Sequence, residues 1–384
     1  MSLSDQDWKS TSATQRWLEG ERKGRGVRIL PKEGGYFVHV TSRTRGQAFL
    51  LGEVEKRSFL MRLRQWSAFS GIGVLTHCVM SNHFHLLLWV PELSDLSHGE
   101  ILERLKGVWP QEKWEAWEKL YGKQTPPVQK FMDQKQVERM GNLASFMRVL
   151  KQSFSNWYNH REGCRGTFWE GRYRSVVVED NPLALMSVAA YIDLNPVRAG
   201  MVEDPLDAVW SGYGAACGGD AASREGLKCL IECARGVMPA SALLARRLHL
   251  NTTHSPQQSS EIMRQDSEKR AQTDRWPELQ KAYRIWLYAK GNAGEHDSSA
   301  HSKNRKGVDP QVVYREFEQN GVVPPARFLR QKWRCYTRGV GIGSPAFLES
   351  LLRQYQQCFT PHRTHAGPKL KNKMPGLHVL RQVD

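Results

Sequence analysis

The segment Val74-Leu-Thr-His-Cys-Val-Met-Ser-Asn-His-Phe-His-Leu-Leu-Leu-Trp-Val90 contains two apolar runs separated by Ser81-Asn82. Short apolar runs joined by a few turn-forming residues are typical of a hairpin of adjacent strands. We therefore predict strands over 74–80 and 83–90. On the second strand, His83 and His85 leave the same face, because successive side chains of a strand alternate.

The segments around this hairpin predict an α+β fold. Tyr36–Thr41 is predicted as a strand and Glu53–Phe69 as an amphipathic helix, so the chain begins β, α, β, β. Apolar residues recur at helical spacing from Asn142 to His160. A strand within Gly166–Glu179, which ends in three valines, is expected to follow that helix.

A further helix is predicted from Asn181-Pro182, an N-cap and a first-turn proline, through Tyr191. Asn195-Pro196 closes it, because the residue before a proline avoids the helical region. Tyr191 and Asn195 are four residues apart and share one helix face. They could be a core aromatic and a C-terminal cap. Alternatively, the phenol is a nucleophile and the amide oxygen a neutral ligand for a divalent cation.

The cysteines do not indicate a metal site. The seven cysteines are scattered, with no Cys-x-x-Cys pair, which argues against a disulfide framework and a zinc ribbon. This usage fits a reducing cytoplasm. A His-x-His pair on a strand is, by itself, more often a packed or surface pair than a pair of metal ligands.

The charge balance favours a polyanionic partner. Lys plus Arg number 55 against 39 Asp plus Glu, a net charge of +16, which raises affinity for nucleic acid through counterion release. The run from Gly166 to Arg174 interleaves arginine with aromatic rings, which suits stacking on unpaired bases. No apolar signal core or stretch of membrane-spanning length is present, so we expect no membrane association.

Composition predicts three parts. Residues 1–32 are expected to form a flexible basic arm, 33–214 a catalytic domain, and 215–384 a mostly helical C-terminal extension. Short helices are expected over 91–141, and linker-like tracts at 251–273 and 291–308. Gly339–Gly343 lacks the Gly-Lys-Ser/Thr of a phosphate loop. Ser344-Pro345 is instead interpreted as the start of an amphipathic helix.

Three motifs carry a specific resemblance when they are taken in order. They are the His-hydrophobic-His strand at 83–85, Phe-Trp-Glu-Gly-Arg-Tyr-Arg at 168–174 and Tyr-Ile-x-x-Asn-Pro-Val at 191–197. The chain resembles the insertion-sequence transposases that use one tyrosine, most closely the REP-associated tyrosine transposases, over roughly residues 33–214. The region after 214 resembles the C-terminal extension of the longer REP-associated subgroup.

This resemblance implies a ferredoxin-like (RRM-like) palm with an antiparallel sheet and flanking helices. It implies that His83 and His85 are metal ligands, that Tyr191 is the nucleophile and that Asn195 is the third ligand. The expected cofactor is Mg²⁺ or Mn²⁺. The expected activity is cleavage and joining of single-stranded or hairpin DNA through a 5′-phosphotyrosine, in the cytoplasm with the nucleoid. Whether the protein is a monomer or a homodimer stays open.

Several basic residues are expected to position DNA, although each could be an ordinary solvated charge. Arg172 and Arg174 are favoured, because residues two apart on a strand share a face. The full set is Arg43, Arg45, Arg148, Lys151, Arg172, Arg174 and Arg198.

Three other functions remain open. A replication-initiator or relaxase-type nuclease shares the paired histidines and the tyrosine, but it often carries a helicase, and no helicase loop is visible. A catalytically silent, transposase-derived DNA-binding regulator would not need the intact set of His83, His85, Tyr191 and Asn195. An RNA-binding or structural palm would not need the pairing of Tyr191 with Asn195.

Overall fold

The computed structural model describes residues 30–31, 34–93, 96–247, 276–291, 339–355 and 377–381. The strands in these ranges are β1 (Tyr36–Arg43), β2 (Gly73–Val79), β3 (His83–Val90), β4 (Arg174–Val178), β5 (Gly339–Gly343) and β6 (His378–Arg381). The helices are α1 (Glu53–Ser70), α2 (His98–Lys106), α3 (Gln111–Tyr121), α4 (Pro126–Val137), α5 (Leu143–Arg161), α6 (Pro182–Asp193), α7 (Asn195–Arg198), α8 (Gly212–Cys217), α9 (Ala221–Ala234), α10 (Ala240–Arg247), α11 (Trp276–Gly291) and α12 (Pro345–Gln354).

The strands form one sheet in the order β2-β3-β1-β4-β5-β6. β1 pairs antiparallel with β3 and β4, and β2 pairs antiparallel with β3. The succession β1-α1-β2-β3-α5-β4 with the spatial order β4-β1-β3-β2 is the ferredoxin-like arrangement, and the α+β prediction is confirmed. The four palm strands pair antiparallel, as expected, and β5, from the region after residue 214, extends the sheet by pairing parallel with β4.

The two faces of the sheet carry separate cores. On one face Phe84, Leu86 and Leu88 of β3 pack with side chains of α1 and α5. On the other face Leu87 and Trp89 pack with side chains of α6, α9 and α11. Because helices cover both faces, β3 is apolar on both sides beyond His85.

A buried carboxylate holds α6 to the elements around it. Asp193 accepts hydrogen bonds from Thr76 Oγ1 on β2 at 2.9 and 3.0 Å, from the Tyr213 backbone nitrogen on α8 at 3.1 Å, and from the Tyr283 hydroxyl on α11 at 2.6 Å. Burial raises the pKa of Asp193 to about 6, because a low-dielectric interior disfavours the charged form. Helices on both sides of residue 214 therefore belong to one core.

Several predicted boundaries differ from the structure. The strand expected within Gly166–Glu179 begins only at Arg174, because the preceding loop is held instead by an isolated bridge between Thr44 and Trp169. Gly339–Gly343 is a strand, and Ser344 caps α12 by accepting from the Phe347 nitrogen at 3.3 Å, as expected for a helix start.

The structure also bears on the predicted short helices, the basic arm and the linker-like tracts. The helices expected over 91–141 are confirmed as α2, α3 and α4. Nearly all of the basic arm and of the two linker-like tracts lies outside the described residues. In the ranges that the structure covers, no helix has both the length and the apolar character to cross a membrane.

Replacing Tyr283 with phenylalanine removes one donor from the buried Asp193. We expect the free energy of unfolding to fall by about 1–3 kcal/mol, because a buried carboxylate is left with a partner fewer. Urea denaturation would measure the loss. Tyr121→Phe is the matched control, since the Tyr121 hydroxyl also donates to a carboxylate, Asp133, at 2.7 Å but in a less buried place. Equal losses in the two variants would contradict this account of Asp193.

Candidate functional site

One end of the sheet face beneath α6 is polar. β1 contributes His39, Thr41 and Arg43 to this face, and β3 contributes His83 and His85. The antiparallel register places Thr41 opposite His85 and Arg43 opposite His83. The side chains of these residues therefore lie next to each other on one face of the two strands.

Tyr191 lies on α6 against the imidazole rings of this polar end. Its ring centroid is 5.5 Å from that of His85 and 5.8 Å from that of His39, in both cases edge-on. The rings of His83 and His85 are 5.0 Å apart. The structure thus brings together His83, His85 and Tyr191, three of the residues expected from the sequence.

The cluster is covered except at one side. Tyr191 is 8% exposed and His85 is 3% exposed, whereas His83 is partly open to solvent. Arg43 is exposed and pairs with His83 across the two strands. The cluster is therefore open to solvent at the end of the sheet that His83 and Arg43 form.

His39 is the member of the cluster that sequence reasoning missed. It is 1% exposed, and its Nε2 lies 3.0 Å from His85 Nδ1, with the two rings stacked at 5.2 Å. Its position within the predicted first strand gave no local signal. Only the register of β1 on β3 places it beside His85.

Both sequence-predicted histidines use their Nδ1 atoms in side-chain contacts. His85 Nδ1 contacts His39, and His83 Nδ1 lies 2.6 Å from the Asn82 side-chain oxygen. Asn82 in turn donates from Nδ2 to the backbone carbonyl of Gln47 at 3.0 Å. Nε2 is therefore the ring nitrogen that each histidine can offer to a cation.

The two imidazoles are uncharged near neutral pH. Burial, with the nearby Arg43 cation as a smaller cause, lowers the pKa of His83 to about 4. Burial, followed by His39, His83 and Arg43, holds the pKa of His85 well below its usual range. Neutral imidazole is the form that binds a metal ion, so the donor chemistry fits a divalent cation.

No group of three or more His, Cys, Asp or Glu side chains in the described ranges is arranged to hold a metal ion. The set expected from the sequence has two such residues, His83 and His85, and an amide oxygen from Asn195. The metal and its ligands therefore stay a prediction.

Asn195 is the first residue of α7. Its Nδ2 donates to the backbone carbonyls of Tyr191 at 2.8 Å and Ile192 at 3.3 Å. These bonds close the C-terminal turn of α6, as in the interpretation of Asn195 as a cap. They also direct Nδ2 to the helix, which leaves Oδ1 as the side-chain atom that could bind a cation.

The expected DNA-binding residues are spread over several elements. Arg174 pairs with Thr41 and is exposed, like Arg43, at the polar end of the sheet. Arg172 is exposed but precedes β4, so the expectation that Arg172 and Arg174 share a strand face is wrong. The chain bends before β4 begins, and face alternation does not extend to Arg172.

The remaining expected DNA-binding residues lie away from that strand end or have other contacts. Arg148 is exposed on α5, which packs on the opposite face of the sheet. Lys151 donates to the Gly171 carbonyl at 2.6 Å and lies over the Trp169 ring. Arg45 begins a 3-10 turn at Arg45–Gln47, and Arg198 ends α7.

Gln47 has a φ of 56°, and within the described ranges it is the one non-glycine residue with a positive φ. A non-glycine residue in the left-handed region costs about 1–3 kcal/mol and persists where the surrounding structure requires it. Here the Gln47 carbonyl accepts from Asn82, next to His83. The strained turn therefore supports the histidine strand.

Comparisons with known proteins give little for this chain. No protein-family model matches it, and no curated protein matches it. One solved structure, described as a REP-associated tyrosine transposase bound to a REP hairpin, aligns at 17% identity over 57% of this chain and 90% of that chain, with a TM-score of 0.32. At that TM-score the likeness carries no weight, so fold and function rest on the topology and side chains described above.

The strain at Gln47 predicts that two substitutions differ in their effect on stability. Gln47→Val should lower the free energy of unfolding by about 1–3 kcal/mol, because a β-branched residue is poorly accommodated at a positive φ. Gln47→Gly should leave it near the wild-type value, because glycine accepts this backbone conformation without strain. Thermal and urea unfolding would measure both. A Gln47→Val variant as stable as Gln47→Gly would show that the turn is not strained.

Proposed function

We propose that this chain is a metal-dependent single-stranded DNA endonuclease and strand transferase that acts as a transposase on hairpin-forming repeat DNA. The observation that carries the proposal is the cluster of Tyr191 with His83 and His85 at the polar end of one sheet face. A phenol beside two neutral imidazoles, with exposed arginines at the same strand ends, is the arrangement that cleavage through a tyrosine needs. A silent DNA-binding regulator would need the arginines alone.

Three groups would hold the cation: Nε2 of His83, Nε2 of His85 and Oδ1 of Asn195. A bound Mg²⁺ or Mn²⁺ would supply positive charge beside the scissile phosphate and stabilise the charge that develops there. Nitrogen ligands favour Mn²⁺ over Mg²⁺. The neutral state of both imidazoles leaves this site able to accept a cation near neutral pH.

Tyr191 would act as the nucleophile. Its Oη forms a bond to phosphorus, the bond from phosphorus to the 3′ oxygen breaks, the phenol loses its proton and the 3′ oxygen gains one. The products are a 5′-phosphotyrosine and a free 3′-hydroxyl. Because the number of phosphate ester bonds is unchanged, a 3′-hydroxyl can attack the phosphotyrosine and rejoin DNA without ATP.

Arg43 and Arg174 would bind the phosphates on either side of the cut. Both are exposed at the polar end of the sheet: Arg43 on β1 pairs with His83, and Arg174 on the neighbouring strand β4 pairs with Thr41. Guanidinium groups bind phosphate through paired hydrogen bonds. Such contacts position the strand without reading its sequence.

Tyr191→Phe tests the nucleophile. We expect wild-type protein, incubated with labelled single-stranded hairpin oligonucleotides and Mn²⁺, to give a covalent adduct on a denaturing gel. The adduct should be absent with a chelator, because the chelator removes the cation. It should also be absent in Tyr191→Phe, because that variant lacks the hydroxyl. Tyr158→Phe, on α5 at the opposite face, should keep the adduct. An adduct in Tyr191→Phe would rule out this nucleophile, and binding without cleavage of any hairpin by the wild type would favour the regulator.

Arg174→Gln tests the phosphate contacts. Fluorescence anisotropy with a single-stranded oligonucleotide should show weaker binding, and the slope of log affinity against log salt should become shallower by about 1, as expected for the loss of one phosphate contact. Arg57→Gln is the control, since Arg57 is exposed on α1 at the opposite face. The same slope change in Arg57→Gln would mean that binding follows net charge alone.

A further inference from the structure

The tautomers of His83 and His85 decide whether either can bind a cation. A neutral imidazole carries one proton, and only the nitrogen without that proton has a lone pair to offer. Metal-binding histidines accordingly donate their other N–H to a fixed neighbour, which sets both the tautomer and the ring orientation. The neighbours of the two Nδ1 atoms are therefore part of the site.

The tautomer of His83 follows from a chain of three groups. The Gln47 backbone carbonyl can only accept, so the Asn82 group 3.0 Å from it must be the Nδ2 amide. That orientation points Asn82 Oδ1 at His83 Nδ1, 2.6 Å away. Since Oδ1 also can only accept, the proton of neutral His83 lies on Nδ1, and Nε2 carries the lone pair.

The turn that presents the Gln47 carbonyl is anchored on the same hairpin. Thr44 donates from its backbone nitrogen to the Asn82 carbonyl at 2.9 Å, and Leu51 donates to the Ser81 carbonyl at 2.9 Å. The Thr44 hydroxyl also donates to the Asn82 carbonyl, at 3.1 Å. These bonds fix the segment from 44 to 51 against the Ser81-Asn82 turn. The Gln47 carbonyl is therefore held where Asn82 Nδ2 can donate to it.

His85 has a corresponding neighbour in His39. Their facing nitrogens are 3.0 Å apart, both rings are almost fully buried, and one proton lies between them. When His85 donates from Nδ1, its Nε2 is free of a proton. Because His39 Nε2 faces His85 Nδ1 at 3.0 Å, His39 is assigned to His85 and not to the cation itself.

We infer that Asn82 and His39 are positioning residues that hold His83 and His85 in the Nδ1-protonated tautomer, so that both present Nε2 to a divalent cation. This inference rests on the metal site of the proposed function. It adds two residues that would act through the ligands without touching metal or DNA. Loss of such a neighbour lowers metal affinity by about 10- to 100-fold in comparable sites.

The first test measures metal binding without DNA. Mn²⁺ titration of the full chain, followed by electron paramagnetic resonance, should show affinity reduced by about 10- to 100-fold in Asn82→Ala and in His39→Phe. Asn82→Asp should stay near the wild-type affinity, because a carboxylate oxygen still accepts from His83 Nδ1. His83→Ala gives the reference for loss of a ligand. If His39→Phe loses binding as completely as His83→Ala, His39 is a ligand and the positioning role is wrong.

The second test observes the tautomers directly, in metal-free protein. Nitrogen-15 NMR of histidine-labelled full chain near neutral pH should show protonated Nδ1 and unprotonated Nε2 for both residues, assigned with His83→Ala and His85→Ala. Asn82→Ala should move the His83 proton to Nε2, and Asn82→Asp should restore it to Nδ1. An unchanged His83 tautomer in Asn82→Ala would overturn the inference.

The two proposals fail separately. If wild-type protein binds Mn²⁺ and forms the DNA adduct, but Asn82→Ala and His39→Phe change neither affinity nor tautomer, the inference is wrong and the proposed function stands. If no DNA is cut while the tautomers and the Mn²⁺ affinities respond as described, the nuclease proposal is wrong and the positioning roles stand.

Discussion

The antiparallel pairing of β1 with β3 holds the centre of the sheet, and its register decides which side chains meet beneath α6. Thr41 opposite His85 brings His39, His85 and His83 onto one face, while Phe84 and Leu86 enter the opposite core. A shift of one residue would reverse every side chain of one strand relative to the other. Cluster and core therefore depend on the same set of backbone hydrogen bonds.

Local sequence signals were enough for the elements that carry the cluster. The apolar run from 83 to 90, set off by the Ser81-Asn82 turn, predicts β3 with its bounds, and the Asn181-Pro182 pair predicts the start of α6. The Asn181 side chain accepts from the Leu183 and Ala184 backbone nitrogens, which is the capping geometry that such a pair indicates. Each of these predictions depends on neighbours within a few residues.

Features that depend on contacts between distant parts of the chain could not be predicted from local sequence. His39 joins the cluster only through strand register, and Arg172 falls outside β4 because the preceding loop is held by Thr44. β5 consists of Gly-Val-Gly-Ile-Gly, a composition that disfavours strands, yet it pairs parallel with β4, where Ile342 is fully buried. Tertiary pairing here overrides local preference.

The hydrogen bonds of Asp193 join α6 to residues that are synthesised at very different times. Thr76 precedes this carboxylate by 117 residues, and Tyr283 follows it by 90. Trp286 reaches back 100 residues to the Met186 carbonyl on the same helix. The helix that carries Tyr191 thus gains its last partners only after the ribosome has released residues 283 and 286, so a nascent chain that ends before α11 has its tyrosine helix incompletely anchored.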